Sequence, residues 1–312
     1  MRAISQRTLG GPEVLEEVEL PRPVPGPTEI LVRVHAAGVN PVDWKSRETG
    51  GMGTLGAPPF VLGWDVSGVV EEIGPGVTLF APGDEVFGMP WFPRQAGTYA
   101  EYVTAPSRHF AAKPAGLGHV HTAAVPLAGL TAWQSLHDTA KVQTGQRVLV
   151  HAAAGGVGHL AVQIAKASGA YVIGTASAPK HEFVRDLGAD EVIDYRAADF
   201  AEEVHNVDVV LDTIGGEYGP RSLRTLRKGG TLVQLTRNVD KSLPEAAAAC
   251  GVTTGLTLVE PDRVGLLALA ELVASGHLRP VVGTVLPLAE AAKAHELGES
   301  GGTTGKIVLS VG

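Results

Sequence analysis

The sequence contains a single cysteine, Cys250, among 312 residues. One cysteine permits no disulfide within the chain, and it supplies at most one thiolate to a metal site. The first ten residues, MRAISQRTLG, also lack the apolar run of a signal peptide. We therefore expect a cytoplasmic protein.

Long apolar runs and an excess of basic charge are missing as well. The apolar stretch at residues 265–274, GLLALAELVA, is far shorter than the roughly 20 residues that span a bilayer. Lys and Arg number 25 against 33 Asp and Glu, a net charge of −8, and no basic cluster could follow a phosphate backbone. Neither a membrane nor a nucleic acid is expected as a partner.

Glycine and hydrophobic residues are abundant, and their spacing divides the chain into two parts. Up to about residue 120, short strand-like segments alternate with glycine and proline, which predicts a β-rich domain. From residue 147 onward, strands alternate with helices. The predicted strands include VDVVLDTIGG and TLVQLT (231–236), with a helix between them over 219–230. Repeated strand-helix-strand units predict a doubly wound parallel sheet, so the fold class is α/β. The pattern after residue 260 fits either domain.

A glycine-rich turn lies between the strand RVLVHAA and an amphipathic helix. Such a turn lets the backbone approach a phosphate closely, and the helix N-terminus offers free N–H groups. Ala153 replaces the first glycine of the common G-x-G-x-x-G fingerprint. The predicted dinucleotide-binding residues of this turn are Ala153, Gly155, Gly156, Val157 and Gly158.

The next strand ends in IGTASAPK, which decides the type of dinucleotide. An NAD site usually carries an acidic residue here, to bind the ribose 2′-hydroxyl. Thr175 and Ser177 stand there without an acid, and Lys180 follows. A 2′-phosphate would meet no repulsion and would gain a cation, so NADPH is the predicted cofactor. The alternative is that Lys180 is an ordinary solvated lysine.

Asn40 and Asp43 directly follow the predicted strand EILVRVHAA, which Pro41 stops. In one interpretation they form an Asx-turn at the strand end, and in the other they act on a ligand. His119 and His121 are two residues apart, so they would share a face if their segment were extended, but no third ligand stands near them in the sequence, and no metal site is expected there.

The whole chain resembles the medium-chain dehydrogenase/reductase superfamily, and most closely its zinc-independent, quinone-oxidoreductase-like branch. The resemblance rests on the segments VLGWDVSGVVEEIGPGV, GDEVFG, GTYAEY, AGLTAW, AAAGGVG, LGADEVIDY and TGKIVLS. It implies a GroES-like catalytic domain from residues 1–121, completed by 260–312, and a Rossmann NADPH-binding domain from 122–259. It also implies a homodimer joined through Rossmann sheet edges near 255–261.

Zinc-containing members of the superfamily hold a catalytic metal through a cysteine and a histidine-glutamate pair. The resemblance places Asn40, Trp64 and Asp65 at those positions, and the four-cysteine structural zinc lobe has no counterpart. No metal is therefore expected, and the small-molecule substrate must itself be electrophilic, as quinones and α,β-unsaturated carbonyls are. Asn40 is then a candidate hydrogen-bond donor to the substrate carbonyl or the nicotinamide ribose, and Asp43 its orienter or an anchor of the loop.

The resemblance bears on three further residues. Thr131 matches a residue beside the nicotinamide, and Tyr195 one near the adenosine phosphate. Lys45 stands where quinone reductases commonly have tyrosine, which favours a polar or anionic substituent on the substrate. The remaining candidates for the substrate pocket, each equally interpretable as core, are Trp44, Trp64 and Trp91. Two alternative functions stay open: an enoyl-thioester reductase, and a cofactor-binding sensor with little catalysis.

Overall fold

A computed structural model describes residues 1–51, 54–235 and 242–312 of the chain. They form two compact units, the first from residues 1–130, 260–274 and 280–312, and the second from 131–259 and 275–279. The two units divide after Leu130, later than the position 121 expected from the sequence. The start of the helical segment after residue 121 packs on the first unit, where the Leu127 N–H donates to Asp65. No helix of the described residues is long and apolar enough to cross a membrane.

The first unit is mostly β-structure. Its strands are β1 (Arg2–Gln6), β2 (Glu16–Glu19), β3 (Glu29–Val39), β4 (Phe60–Val61), β5 (Val66–Ile73), β6 (Glu85–Gly88), β7 (Tyr102–Pro106), β8 (Phe110–Ala112), β15 (Val282–Pro287) and β16 (Lys306–Ser310). Its helices are α1 (Pro41–Thr49), α2 (His119–Ala123), α9 (Arg263–Ala274) and α10 (Ala291–Glu299), and helix α3 (Pro126–Trp133) begins in it. The strand orders are β2-β1-β4 and β15-β16-β3-β5-β6-β8, with β7 on β3.

The carboxy-terminal strands belong to the first unit. Strand β16 pairs antiparallel with β3, where Ile307 faces Val39 and Val308 faces Gly38. Strand β15 pairs parallel with β16. The sequence pattern had left this placement open, and it matters because Lys306 thereby starts beside the end of β3.

The second unit is a parallel sheet flanked by helices. Its strands are β9 (Arg147–Val150), β10 (Tyr171–Ala176), β11 (Glu191–Asp194), β12 (Val207–Asp212), β13 (Leu226–Gln234) and β14 (Thr253–Leu256). Its helices are α4 (Gly158–Ala167), α5 (His181–Asp186), α6 (Phe200–Glu203), α7 (Tyr218–Leu223) and α8 (Leu243–Ala249). The order β11-β10-β9-β12-β13-β14 reverses direction between β9 and β12, and ligands of doubly wound sheets bind at such a switch point. The predicted α/β fold class is confirmed.

The segment that precedes β13, the fifth strand of the second unit, differs from the prediction. The predicted helix over 219–230 is wrong in length, because α7 ends at Leu223 and the chain from Leu226 onward already pairs with β12. Leu226 faces Val207, so sheet pairing overrides the helical pattern there. The strand is described to Gln234, and Thr236, its predicted last residue, lies outside the described residues.

Candidate active site

Asn40 lies where β3 passes into α1. Its backbone is extended (φ −136°, ψ 157°), and Pro41 occupies the first helical position, where its missing N–H is not needed. The backbone N–H of Asn40 donates to Oδ2 of Asp43 at 2.6 Å, and the N–H of Asp43 donates to the Asn40 carbonyl at 2.9 Å. The structure thus brings the two predicted residues together in a capping box at the start of α1, in which the Asp43 carboxylate holds the backbone N–H of Asn40.

The Asn40 amide is held by two charged residues instead. Its Nδ2 donates to Oδ2 of Asp65 at 2.8 Å, and its Oδ1 accepts a short hydrogen bond from Nζ of Lys306. Lys306 also donates to the Val39 carbonyl at 2.9 Å and lies 3.4 Å from Asp65. The second oxygen of Asp65 accepts the N–H of Leu127 at 2.5 Å. Sequence reasoning did not assign a function to Lys306, although the segment TGKIVLS contains it.

A glycine makes room for this cluster. A Cβ at Gly38 would lie 2.6 Å from Oδ2 of Asp65 and 2.4 Å from the Ala123 carbonyl oxygen. The side chains of Lys306 and Asp65 are almost fully buried, at 2% and 0% exposed. Charges in such surroundings interact strongly and persist only when they are paired and hydrogen-bonded.

Burial also governs the acidity of Asp43. Its pKa is raised from 3.8 to about 7, chiefly because the carboxyl is fully buried, and the negative charge of Asp65 adds to the effect. The hydrogen bond from the Asn40 N–H and the charge of Lys306 act in the opposite direction. Oδ1 of Asp43 has no hydrogen-bond partner of good geometry. The phenol of Tyr99 lies near Asp43, and its pKa is raised first by burial and then by the charge of Asp43.

A buried polar chain continues from Tyr99 to the surface of the unit. The Tyr99 hydroxyl lies 3.3 Å from Nε2 of His295, and the Nδ1 of His295 lies 3.2 Å from Nη1 of Arg47. Arginine can only donate, so Nδ1 is assigned as an acceptor and Nε2 as the protonated nitrogen. Burial, followed by the charge of Arg47, lowers the pKa of His295 to about 3. Arg47 itself pairs with Glu299 at 2.6 Å.

The predicted substrate-pocket residues lie in different surroundings. Trp64 is fully buried and donates its indole N–H to the Arg94 carbonyl at 2.6 Å, which fits the alternative interpretation as core. Trp91 donates its indole N–H to the Thr104 carbonyl at 2.9 Å. Trp44 and His295 form a T-shaped ring pair with centres 6.2 Å apart. Lys45 is exposed on α1.

In the second unit, the glycine turn forms a tight cradle ahead of α4. A Cβ at Gly158 would lie 2.2 Å from the Ala152 carbonyl oxygen, so only glycine fits, and Ala152 itself has a positive φ of 46°. Ala153, which replaces the first fingerprint glycine, is accommodated by Gly174, where a Cβ would lie 2.8 Å from the Ala153 Cβ. Helix α4 begins at Gly158, and the N–H groups of its next three residues donate to the carbonyls of Gly155 and Val157 in the turn. The N–H groups left to face a phosphate are those of the turn at Gly156, Val157 and Gly158. This cradle fits a dinucleotide phosphate.

Sequence reasoning missed a buried histidine that supports this turn. His151 directly follows β9, with Nδ1 3.2 Å from Oγ1 of Thr175 and Nε2 3.0 Å from Oγ of Ser222. Thr175 in turn accepts the N–H of Ala152 at 3.2 Å. Burial, followed by the charge of Arg221, lowers the pKa of His151 to about 3, so the ring is neutral. The signal in the sequence was its position between the strand and the glycines.

The residues predicted to select the cofactor gather after β10 and β11. Ser177 precedes a 3₁₀ turn, Ala178–Lys180, that ends in Lys180. Burial, followed by the nearby charge of Arg196, lowers the pKa of Lys180. Arg196 also lies over the ring of the half-exposed Tyr195, 5.7 Å from its centre. The predicted lysine thus has a second cation beside it.

Thr131, the remaining predicted residue, is buried on α3. By the division of the chain it belongs to the second unit, whereas Asn40 and Asp43 belong to the first. Within the described residues, no three His, Cys, Asp or Glu side chains are arranged to hold a metal ion.

Comparison with known proteins finds similarity over nearly the whole chain. Residues 26–115 match the alcohol dehydrogenase GroES-like domain, and 187–309 match the zinc-binding dehydrogenase family. A mitochondrial NAD(P)H oxidoreductase of Mus musculus, RTN4IP1, is 35% identical over 91% of this chain and 82% of its own.

Two solved structures share the fold and much of the sequence. The quinone oxidoreductase from Coxiella burnetii has a TM-score of 0.95 and 38% identity, covering 100% of this chain and 99% of that one. The mycobacterial protein Rv1454c, solved in complex with NADPH, has a TM-score of 0.88 and 34% identity, covering 99% of this chain and 100% of that one. Both units of the chain therefore have counterparts in single proteins of known structure.

Proposed function

Because the chain belongs to the medium-chain dehydrogenase/reductase superfamily, in its quinone-oxidoreductase-like branch, and is an oxidoreductase, we propose that it transfers hydride from NADPH to quinones or α,β-unsaturated carbonyls without zinc. The observation that carries the proposal is the contact between Lys306 and Oδ1 of Asn40. The ammonium of Lys306 lies beside Asn40 and Asp65, two of the three residues that the resemblance places at the ligand positions of a catalytic metal.

The side chains at the metal-ligand positions do not fit zinc. Trp64 offers no lone pair and is committed to the Arg94 carbonyl. Asn40 presents its oxygen to Lys306, whose positive charge would repel a second cation. A tetrahedral zinc needs three or four thiolate, imidazole or carboxylate ligands, and Asp65 is the one such residue in this set.

The reaction needs only modest help from the protein if the substrate is conjugated. When bound, NADPH would supply a hydride from its nicotinamide to the conjugated system of the substrate and become NADP⁺. Negative charge then develops on the substrate oxygen, until a proton from water completes the reduction. The second N–H of the Asn40 amide donates a hydrogen bond to that oxygen, and such donors stabilise developing charge most strongly in buried sites.

The cofactor is proposed to bind at the carboxyl ends of the second unit's strands, at the switch point between β9 and β12. Gly155, Gly156, Val157 and Gly158 are proposed to line its phosphates, with the backbone N–H groups of Gly156, Val157 and Gly158 as donors, because the Gly155 N–H already donates to the Ala152 carbonyl at 2.8 Å and the cradle has no room for a side chain at Gly158. Ser177, Lys180 and Tyr195 are proposed to bind the 2′-phosphate, with Arg196 as an additional cation. Thr131 is proposed to lie beside the nicotinamide.

Two further properties stay proposals. We propose a homodimer through the edge strand β14, where Leu256 and Leu258 are half-exposed. Trp44, Trp91 and Lys45 are proposed to border the substrate, with Lys45 favouring an anionic substituent. The cytoplasmic location stays a prediction, since one relative is a mitochondrial protein.

The test is NADPH oxidation with a panel of quinones and enones in buffer containing EDTA. We expect turnover with both classes, unchanged by EDTA or by added zinc, and weaker turnover with NADH. Tight NADPH binding without turnover on any substrate would instead identify a cofactor-binding sensor. Turnover confined to coenzyme A thioesters would identify an enoyl-thioester reductase.

A further inference from the structure

We propose that Lys306 is a positioning residue, which sets the orientation of the Asn40 amide and strengthens its free N–H as a donor to the substrate oxygen. The inference rests on the proposed function, since it concerns the group that stabilises charge during hydride transfer. It assigns a role in the reaction to a lysine that starts the last strand of the chain, β16.

The two charged neighbours permit one orientation of the amide. Lys306 can only donate, so it requires the amide oxygen, and an ionised Asp65 can only accept, so it requires the amide nitrogen. A rotation of the amide by half a turn would place NH₂ against the ammonium and oxygen against the carboxylate. The second N–H of Asn40 therefore points in a fixed direction, and within the described part of the chain it has no acceptor.

The ammonium also changes the strength of that N–H. A cation bound at the amide oxygen draws electron density from the nitrogen, and hydrogen bonds in a chain strengthen one another when they are shielded from water. Lys306 and Asp65 are almost fully buried, so water does not screen the effect. The amide thereby acts as an uncharged relay of a positive charge, and this partly replaces the Lewis acidity of a metal.

Lys306 does not contact the substrate itself. Its three N–H bonds are directed at Asn40, the Val39 carbonyl and Asp65. The pairing of β16 with β3 fixes this arrangement, because Ile307 faces Val39 and leaves Lys306 beside the end of β3. Of these three partners, Asn40 is the one with a second N–H to offer a substrate, so the influence of Lys306 on the substrate oxygen passes through Asn40.

A double-mutant cycle tests that route. We expect Lys306→Met to lower kcat with an enone by about tenfold or more, as loss of a preorganised donor does, and to change the Kd for NADPH by less than about twofold. In an Asn40→Ala background, Lys306→Met should cause no further loss of kcat, because the relay is already absent. An easily reduced quinone, which needs less charge stabilisation, should lose less kcat than the enone.

Lys113→Met is the matched control. Lys113 is also nearly buried and also paired with a carboxylate, Glu85, at 3.2 Å, but it does not touch Asn40. Its loss should leave the ratio of enone to quinone turnover unchanged. Thermal unfolding and NADPH fluorescence titration of each variant report folding and cofactor binding independently of turnover.

The outcomes separate this inference from the proposed function. If Asn40→Ala retains full turnover, the proposed role of Asn40 fails. Two results would overturn the inference about Lys306 alone while Asn40→Ala still loses turnover. In the first, Lys306→Met keeps full turnover. In the second, Lys306→Met lowers kcat by the same factor in wild type and in the Asn40→Ala background. If Lys306→Met does not fold, Lys306→Gln, which keeps an uncharged donor, replaces it. Failure of both variants to fold would assign Lys306 to stability and overturn the inference.

Discussion

Oδ2 of Asp43 lies 2.6 Å from the backbone nitrogen of Asn40, while the side-chain amide of Asn40 is bound by Asp65 and Lys306. The carboxylate therefore fixes the start of α1, and the two buried charges fix the amide. Asp43 is fully buried and its pKa is raised to about 7, so its protonation changes within the pH range in which such an enzyme is assayed.

The stability contributed by Asp43 should fall as the pH rises. Its pKa is about 7 in the folded protein and 3.8 as a free side chain, so between these values only the folded protein holds the proton. Each pH unit in that window then weakens folding by about 1.4 kcal/mol. From pH 5 to 8, wild type should lose roughly 2–3 kcal/mol relative to Asp43→Asn, which does not titrate.

Urea unfolding of both proteins at pH 5 and pH 8 measures this difference. Comparison with the variant removes the contribution of all other titrating groups, the buried histidines included. An equal gap between the two proteins at both pH values would show that Asp43 is ionised throughout.

Replacement of Asn40 by alanine should affect turnover far more than cofactor binding. If its amide donates to the substrate oxygen, kcat should fall by roughly 100-fold, as for loss of other preorganised donors, with the Kd for NADPH changed by less than about threefold. Stopped-flow hydride transfer and fluorescence titration measure the two quantities. Gln143→Ala, at an exposed amide, is the control. The reverse result, weak NADPH binding with normal turnover, would make Asn40 a ribose ligand.

Local patterns in the sequence predicted the local structure around the candidate site. The strand, glycines and helix around Gly158 follow from periodicity and from the space that a phosphate needs, and Asn40 and Asp43 follow from their place after a strand. Lys306 and Asn40 are 266 residues apart, and only the order of strands in a sheet brings them together. The long helix expected after residue 219 failed for a related reason, because pairing with Val207 draws Leu226 into a strand.

Gly158→Ala should weaken NADPH binding without unfolding the protein. The added methyl would lie 2.2 Å from the Ala152 carbonyl oxygen, so the turn must move away from the position that presents its N–H groups. We expect the Kd for NADPH to rise by about tenfold or more, the equivalent of at least 1.4 kcal/mol of binding energy. Gly118→Ala is the control, because a methyl there meets nothing within 4 Å. Equal Kd values for the two variants would place the phosphates elsewhere.

Lys180→Ala should reduce the preference for NADPH over NADH. A charge-assisted contact to the 2′-phosphate contributes roughly 1.5–3 kcal/mol, so kcat/KM with NADPH should fall by about tenfold or more while kcat/KM with NADH stays nearly constant. Lys166→Ala is the control, since that lysine is paired with Asp190 at 2.8 Å. Equal losses with both cofactors would mean that Lys180 supports the fold and does not recognise the phosphate.

His151 should show the opposite pH dependence to Asp43. Its pKa is lowered from 6.5 to about 3 in the folded protein, so between these values only the unfolded chain takes up the proton, and stability is lost as the pH falls below 6.5. At pH 8, His151→Leu should cost about 2–3 kcal/mol, because the hydroxyls of Thr175 and Ser222 lose their partner. At pH 5 the difference between wild type and variant should shrink by up to about 2 kcal/mol, since wild type alone bears the penalty of keeping the ring neutral.

Urea unfolding at both pH values measures the change, with the exposed His205→Gln as control. An equal difference at pH 5 and pH 8 would mean that His151 is protonated in the folded protein, and the polar link from β9 to the glycine turn would then need a different hydrogen-bond assignment.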